Sequence, residues 1–294
     1  MFGVDLYLHW SWFFVALIEI ANRRGSYHSL TFNVLEYVAL FAIVLIHEMG
    51  HALACRSVGG RADEIVLWPL GGVAYVAPPQ RPGAVLWSIA AGPLVNVVLF
   101  FVFSCILVAG GALGDGSGMV NAPDWLRFAE MLWWINLLLL AFNLFPVYPL
   151  DGGQIVRALL WFAVGRARSL YVTTIIGFIG VPVIFLLAWW QRSFWTALIG
   201  VFILMNCWSG LQHARMLVRV SKLPRREGLR CPSCDTHPPI GAWWRCERCG
   251  AGFDTFESRG VCPNCGTEYT VARCLDCGEF HSIDEWRGPV PPAG

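Results

Sequence analysis

The sequence predicts an all-α polytopic membrane protein of about six transmembrane helices. It carries a small membrane-associated β-hairpin and is followed by a small β-rich domain organised by cysteines. Three observations predict this. The 294-residue chain is 56% hydrophobic and only 14% charged, with 15 Trp, which is too apolar for a soluble domain of this size. Its apolar residues gather in runs near the roughly 20 residues that a helix needs to cross a bilayer. Beyond Pro224 the composition changes, and eight of the eleven cysteines fall there in four Cys-x-x-Cys pairs.

The apolar runs cover residues 6–20, 35–55, 84–109, 125–145, 169–190 and 194–217. The first is short, and the fourth is stopped by Pro146 and Pro149. The N-terminus has neither a basic leader nor a small-residue cleavage site, so the first run is expected to be retained. Between the second and third runs, two β-prone stretches meet at Pro69-Leu70-Gly71-Gly72 and predict a hairpin or re-entrant sheet. Arginines mark one side of the membrane. Arg56, Arg61 and Arg81 flank one loop, Arg157, Arg166 and Arg168 the next on that side, and Arg215, Arg219, Lys222, Arg225, Arg226 and Arg230 follow the last run. The opposite loops hold Arg23, Arg24, Arg127 and Arg192, and the glycine-rich connection 110–118 holds no basic residue. This bias places both termini and the hairpin in the cytoplasm. The net charge of +1 gives no reason to expect a nucleic-acid partner.

The second run contains His47-Glu48-Met49-Gly50-His51, preceded by unbroken hydrocarbon over 38–46. Ionisable groups at that depth persist only when paired, solvated in a cavity or bound to something. Histidines at i and i+4 of a helix point about 40° apart, which suits two ligands on one zinc ion. Glu48 is then free to act as a base on water. The fourth run closes with Ala141-Phe142-Asn143-Leu144-Phe145-Pro146-Val147-Tyr148-Pro149-Leu150-Asp151-Gly152-Gly153. Two prolines free backbone groups that a membrane tolerates only beside protein or a wet cavity, so Asp151 is expected on irregular, cavity-lining chain. Taken alone, Asp151 reads as the N-cap of a helix over 154–161. Beside His47 and His51 it becomes the third ligand, leaving one coordination position open.

At these residues the sequence resembles the site-2 protease family of intramembrane zinc metalloproteases. The resemblance rests on His47-Glu48-x-x-His51, on Asn143-x-x-Pro146-x-x-Pro149-Leu150-Asp151-Gly152, on Pro69-Leu70-Gly71-Gly72-Val73-Ala74 and on Ala91-Gly92-Pro93-Leu94-Val95-Asn96. The opening Gly3-Val4-Asp5-Leu6-Tyr7-Leu8-His9-Trp10-Ser11 is also similar, and the match runs over about residues 1–220 with its motifs in the same order. The resemblance implies that His47, His51 and Asp151 hold a catalytic zinc, that Glu48 is the base and that Asn143 lies near the reacting carbonyl. Asn96 is a second candidate hydrogen-bond donor to the oxyanion, or else an interhelical contact. The hairpin is either a connector or an edge strand that pairs with an unwound substrate through β-augmentation, with Gly71 and Gly72 at the substrate.

The tail holds Cys231-Pro-Ser-Cys234, Cys246-Glu-Arg-Cys249, Cys262-Pro-Asn-Cys265 and Cys274-Leu-Asp-Cys277. Two such knuckles complete a four-sulfur zinc site, so the tail is expected to form two structural zinc ribbons. The expected pairing is first knuckle with second and third with fourth. The alternative is first with third and second with fourth. Disulfides do not suit a reducing cytoplasm. Trp243 and Trp244 are expected to pack on the ribbon, with one of them open to contact. Residues 215–230 are either a solvated juxtamembrane anchor or a surface for anionic lipid. Cys55, Cys105 and Cys207 are expected as packed thiols.

The chain thus divides into a transmembrane metalloprotease domain over 1–223, a basic linker over 224–230, a double zinc-ribbon domain over 231–282 and a Pro/Gly-containing tail over 283–294. The expected function is an intramembrane zinc endopeptidase, with one catalytic and two structural zinc ions. It would act on transmembrane protein substrates in the lipid bilayer of a bacterial or archaeal plasma membrane, with a candidate cytoplasmic partner for the ribbons. The alternatives are a prenyl-protein protease, which would call for a glutamate third ligand, and a catalytically silent membrane sensor or scaffold that binds a partner through its ribbons.

Overall fold

The computed structural model describes residues 3–22, 27–68, 71–111 and 122–287. Among these described residues, five helices are long and apolar enough to cross a membrane. They are α2 (Leu30–Ser57), α3 (Pro82–Ala109), α4 (Asp124–Asn143), α6 (Arg166–Gln191) and α7 (Phe194–Ser221). Two shorter helices, α1 (Trp12–Asn22) and α5 (Asp151–Val164), complete the bundle. Their large apolar side chains remain widely exposed, as the lipid-facing surface of an integral membrane protein requires.

Local chemistry starts these helices. Ser29 caps α2, its hydroxyl accepting from Thr31 N at 3.2 Å. Pro82 opens α3, where a missing N–H costs nothing. Ser193 Oγ accepts from Thr196 N at 3.2 Å to start α7. In the bundle, α3 is central. It packs on α2, α4 and α5, and α5 leads on to the α6–α7 pair.

The first expected span is corrected. Residues 6–20 form not one crossing helix but a strand, β1 (Asp5–Leu8), and the 11-residue α1. At 1.5 Å per residue such a helix reaches only about 16 Å, roughly half the hydrocarbon thickness. The strand has a use. It pairs parallel with β2 (Arg61–Trp68), which pairs antiparallel with β3 (Gly71–Ala77), so the expected hairpin is two-thirds of a three-stranded sheet ordered β1-β2-β3. The Pro69-Leu70 turn and most of the glycine-rich connection lie outside the described residues. Val4, Ala62, Ile65 and Leu67 bury the sheet against Val44, Ala52 and Cys55 of α2. Cys55 and Cys207 are buried as expected, whereas Cys105 is exposed.

The cysteine-rich tail folds into short hairpins, β4 (Trp244–Arg245) with β5 (Gly252–Phe253), and β6 (Val271–Arg273) with β7 (Phe280–Ser282). Each knuckle ends on a left-handed residue, with φ of 56° at Asp235, 72° at Gly250, 70° at Gly266 and 82° at Gly278. The 3₁₀ turn Ile283–Arg287 belongs to this unit, since Trp286 is 1% exposed in its core. Trp244 is buried and Trp243 half exposed.

The tail sits against the membrane bundle. Arg61 at the start of β2 pairs with Glu279 at 3.2 Å, and Arg166 at the start of α6 donates to the Asp276 carbonyl. Arg225 clasps the Asp276 carboxylate with contacts of 2.6 and 3.1 Å. The fourth knuckle therefore faces the end of the bundle that carries the β-sheet.

Candidate active site and metal centre

His47, Glu48 and His51 lie on α2 and are 3%, 7% and 6% exposed. Asp151 is the first residue of α5, with Leu150 as the N-cap. It is therefore neither irregular chain nor a cap. It is a carboxylate in the first helical turn, where free N–H groups and the helix dipole favour negative charge. The preceding loop is tied to the α6–α7 pair. Val147 is buried among Val181, Ile203 and Cys207, and Cys207 Sγ lies 3.1 Å from the Tyr148 carbonyl.

The three donors form a compact triangle. His47 Nε2 and His51 Nε2 are 3.2 Å apart, and Asp151 Oδ2 lies 3.1 Å from the first and 3.3 Å from the second. Ligands at about 2.05 Å around a tetrahedral zinc are separated by about 3.3 Å. The donor set and its spacing fit zinc, and two imidazoles with one carboxylate leave a fourth position open. The other imidazole nitrogens are held in place. His51 Nδ1 donates to the Ser88 carbonyl at 2.8 Å, and His47 Nδ1 donates to Asn96 Oδ1 at 2.5 Å. Such outer contacts fix the tautomer and the ring orientation of a metal ligand.

Asn96 makes the interhelical contacts that were the second of its two expected roles. Its oxygen is on His47, and its NH2 donates to Asn136 Oδ1 at 2.9 Å. Asn136 Nδ2 in turn donates to the Asn96 carbonyl at 2.8 Å. Both residues are wholly buried, so α4 and α3 together hold an α2 imidazole. Asn136 was not anticipated. A lone Asn within an apolar stretch was its only signal. Asn143, at the end of α4, places Nδ2 3.4 Å from His47 Nε2, facing the donor triangle.

Two close approaches shape the site. A β-carbon on Gly92 of α3 would overlap His51 Nε2 and lie 2.9 Å from His47 Nε2. One on Gly72 of β3 would overlap Glu48, 2.6 Å from its Cδ. Glu48 Oε2 accepts from the Ala74 N–H of β3 at 3.0 Å. That N–H belongs to the side of β3 not paired with β2, so the free edge of the sheet runs along the catalytic candidates. Gly71 opens the same strand, opposite Trp68 of β2.

The tail carries two more donor sets, Cys231, Cys234, Cys274 and Cys277 in one, and Cys246, Cys249, Cys262 and Cys265 in the other. Sulfur separations of 3.6 and 3.8 Å in the first and 3.5 and 3.7 Å in the second match the roughly 3.8 Å edge of a tetrahedral zinc thiolate site. The pairing corrects both expectations. The first knuckle joins the fourth and encloses the second with the third. The unit's ends meet, Arg230 N donating to the Trp286 carbonyl at 2.7 Å, and this brings the outer knuckles together. The Tyr269 hydroxyl, 3.2 Å from Cys246 Sγ, holds that thiol down at about 6.

A helical membrane bundle enclosing a two-histidine, one-carboxylate centre, with a carboxylate held beside it by a sheet edge, defines a class of membrane metalloproteins. The chain belongs to peptidase family M50, whose family model matches residues 36–113 and 110–187. It is 32% identical over 175 residues to a zinc metalloprotease of Methanocaldococcus jannaschii, covering 60% of this chain and 48% of that one. A protein of Mycobacterium tuberculosis named as a zinc metalloprotease is 30% identical over 170 residues, covering 54% of this chain and 42% of its own length. The chain thus spans about half the length of these curated relatives. In fold it is similar to the site-2 protease from Methanocaldococcus jannaschii, with a TM-score of 0.50 at 24% identity, covering 72% of this chain and 92% of that one.

Proposed function

We propose that this protein is an intramembrane zinc endopeptidase that cleaves transmembrane segments of membrane proteins. The observation that carries the reading is the juxtaposition of the His47, His51 and Asp151 triangle with Glu48, whose carboxylate hangs from a free sheet edge. A zinc ion held by the triangle supplies Lewis acidity toward water and the scissile carbonyl. Glu48 takes a proton from the attacking water and delivers it to the leaving amine nitrogen as the C–N bond breaks. The amide of Asn143 faces the same space and donates to the developing oxyanion. Asn96 keeps His47 in its ligating tautomer instead of touching substrate.

A transmembrane helix must unwind before its carbonyl is accessible. The unpaired edge of β3 offers the unwound segment backbone partners, with Gly72 allowing close passage beside Glu48. Basic residues cluster at the end of the bundle that bears the sheet and the tail. This supports a plasma-membrane protein with both termini cytoplasmic. The tail, held there by Arg61 and Arg166, then serves as a recruiting or regulatory unit folded around two structural zinc ions.

The test is Glu48→Gln in the purified full chain with a single-span membrane substrate. Zinc content should stay at the wild-type level while turnover drops by about 10²–10⁴-fold. Cleavage near the wild-type rate would remove Glu48 from the mechanism. Loss of zinc would make it a structural residue.

A further inference from the structure

Arg168, Arg215 and Arg219 share an open groove of about 540 Å³ with Tyr171, Val172 and Val218, between the first turns of α6 and the last turns of α7. Among the described residues, none of these three guanidinium groups makes a hydrogen bond or ion pair. The contrast lies a few residues downstream. Arg225 pairs with Asp276, Arg226 with Asp254 at 2.8 Å, and Arg230 with Asp235 at 2.9 Å. The basic stretch 215–230 therefore splits in two. Its second half is neutralised by the tail, and its first half joins Arg168 as unbalanced charge. The chain has no local anion to offer, since no Asp or Glu occurs between Gly152 and Arg226.

The helix pair also sets the depth of the groove. Around the α6–α7 turn at the opposite end, Trp189, Trp190, Phe194 and Trp195 are 78%, 82%, 76% and 65% exposed, the pattern of an interfacial aromatic belt. From there α6 runs 26 residues, about 39 Å, which exceeds the roughly 30 Å hydrocarbon core. Its first turns therefore emerge at the other headgroup layer, with arginines at headgroup level and valines facing acyl chains.

We infer that this groove binds an anionic phospholipid. The headgroup phosphate lies among Arg168, Arg215 and Arg219, and an acyl chain lies along Val172 and Val218. A basic pocket between transmembrane helices recognises charge in this way. A zwitterionic lipid is disfavoured, because its ammonium would face three cations with no carboxylate near.

The test titrates the delipidated full-length protein, in neutral detergent, with phosphatidylglycerol or phosphatidylcholine and reads bound lipid by native mass spectrometry. Phosphatidylglycerol should bind about tenfold or more tightly than phosphatidylcholine. R168Q/R215Q/R219Q should abolish that preference while keeping wild-type zinc content. R168K/R215K/R219K should retain it, and R192Q at the far end should leave it unchanged. Should the triple glutamine variant fail to fold, single R168Q and R219Q variants should each lose a few-fold in affinity. Equal binding of the two lipids, a preference that survives the glutamine changes, or loss of the preference in R192Q would each overturn the inference. Displacement of phosphatidylglycerol by millimolar inorganic phosphate would assign the groove to free phosphate and overturn it as well.

Discussion

Gly92 and Asn96 lie one helical turn apart on α3 and act on the same pair of imidazoles from two directions. Gly92 lets the helix backbone lie flush against His47 and His51, and Asn96 accepts from His47 Nδ1. Gly92→Ala should force the rings off the triangle and lower zinc affinity at this centre by about tenfold or more. Competition with a graded chelator measures it, and unchanged affinity would mean that the bundle yields at no cost. Asn96→Ala should weaken zinc by about 10–100-fold, because the His47 ring loses its anchor and Asn136 loses its partner. An Asn96→Ala protein with full zinc affinity and a selective loss of turnover would instead return Asn96 to the oxyanion role. These contacts were half legible. His47, Glu48, His51 and Asp151 are visible in sequence because ionisable groups in hydrocarbon demand a reason. The service rendered by Gly92, Asn96 and Asn136 was not, since which helix faces an imidazole is a matter of packing.

The β-sheet shows how an element's meaning changes with its neighbours. Alternation and turn residues predict β2 and β3 as a hairpin, yet β1 is long-range and parallel, and it takes one edge of the sheet. β1 covers the β2 side of the hairpin, while among the described residues the outer side of β3 stays unpaired and touches Glu48 through Ala74 N. Gly72→Val should therefore displace Glu48 and obstruct the edge. Cleavage of a transmembrane substrate should fall by at least tenfold, while zinc content stays at the wild-type level, because the triangle lies on α2 and α5. Parallel loss of zinc would show that the sheet supports the metal centre and not the substrate. The misread first span has the same origin. Residues 6–20 are apolar because β1 and α1 meet the sheet, α2 and lipid, and apolarity alone does not separate a strand and a short helix from one long helix.

At the scale of the whole molecule, the described residues hold three candidate metal-ligand clusters in two structural units, and a chain ending at Leu223 separates them. Elemental analysis should find about three zinc ions per full-length chain and about one in the shortened chain, because His47, His51 and Asp151 all precede the cut. A difference other than two would overturn the double-ribbon assignment. The shortened chain should still cut a small generic peptide but lose efficiency toward a membrane substrate, since it lacks the contacts of Asp276 and Glu279 with Arg166 and Arg61. Complete loss of peptidase activity would make the tail part of the catalytic fold.

Composition, apolar run lengths and the spacing of His, Asp and Cys made the long membrane helices, the candidate metal donors and the cysteine module legible. Each follows from local rules of helix geometry, bilayer thickness and ligand chemistry. The tertiary structure alone decided the nested pairing of the knuckles, the third strand, the use of Asn96 and Asn136, and the division of the arginines into paired and unpaired sets. The Cys-x-x-Cys intervals are too similar to favour one pairing, and an arginine's partner lies wherever the fold brings a carboxylate. Such choices depend on contacts between residues far apart in the chain, and those contacts exist only once the helices have packed.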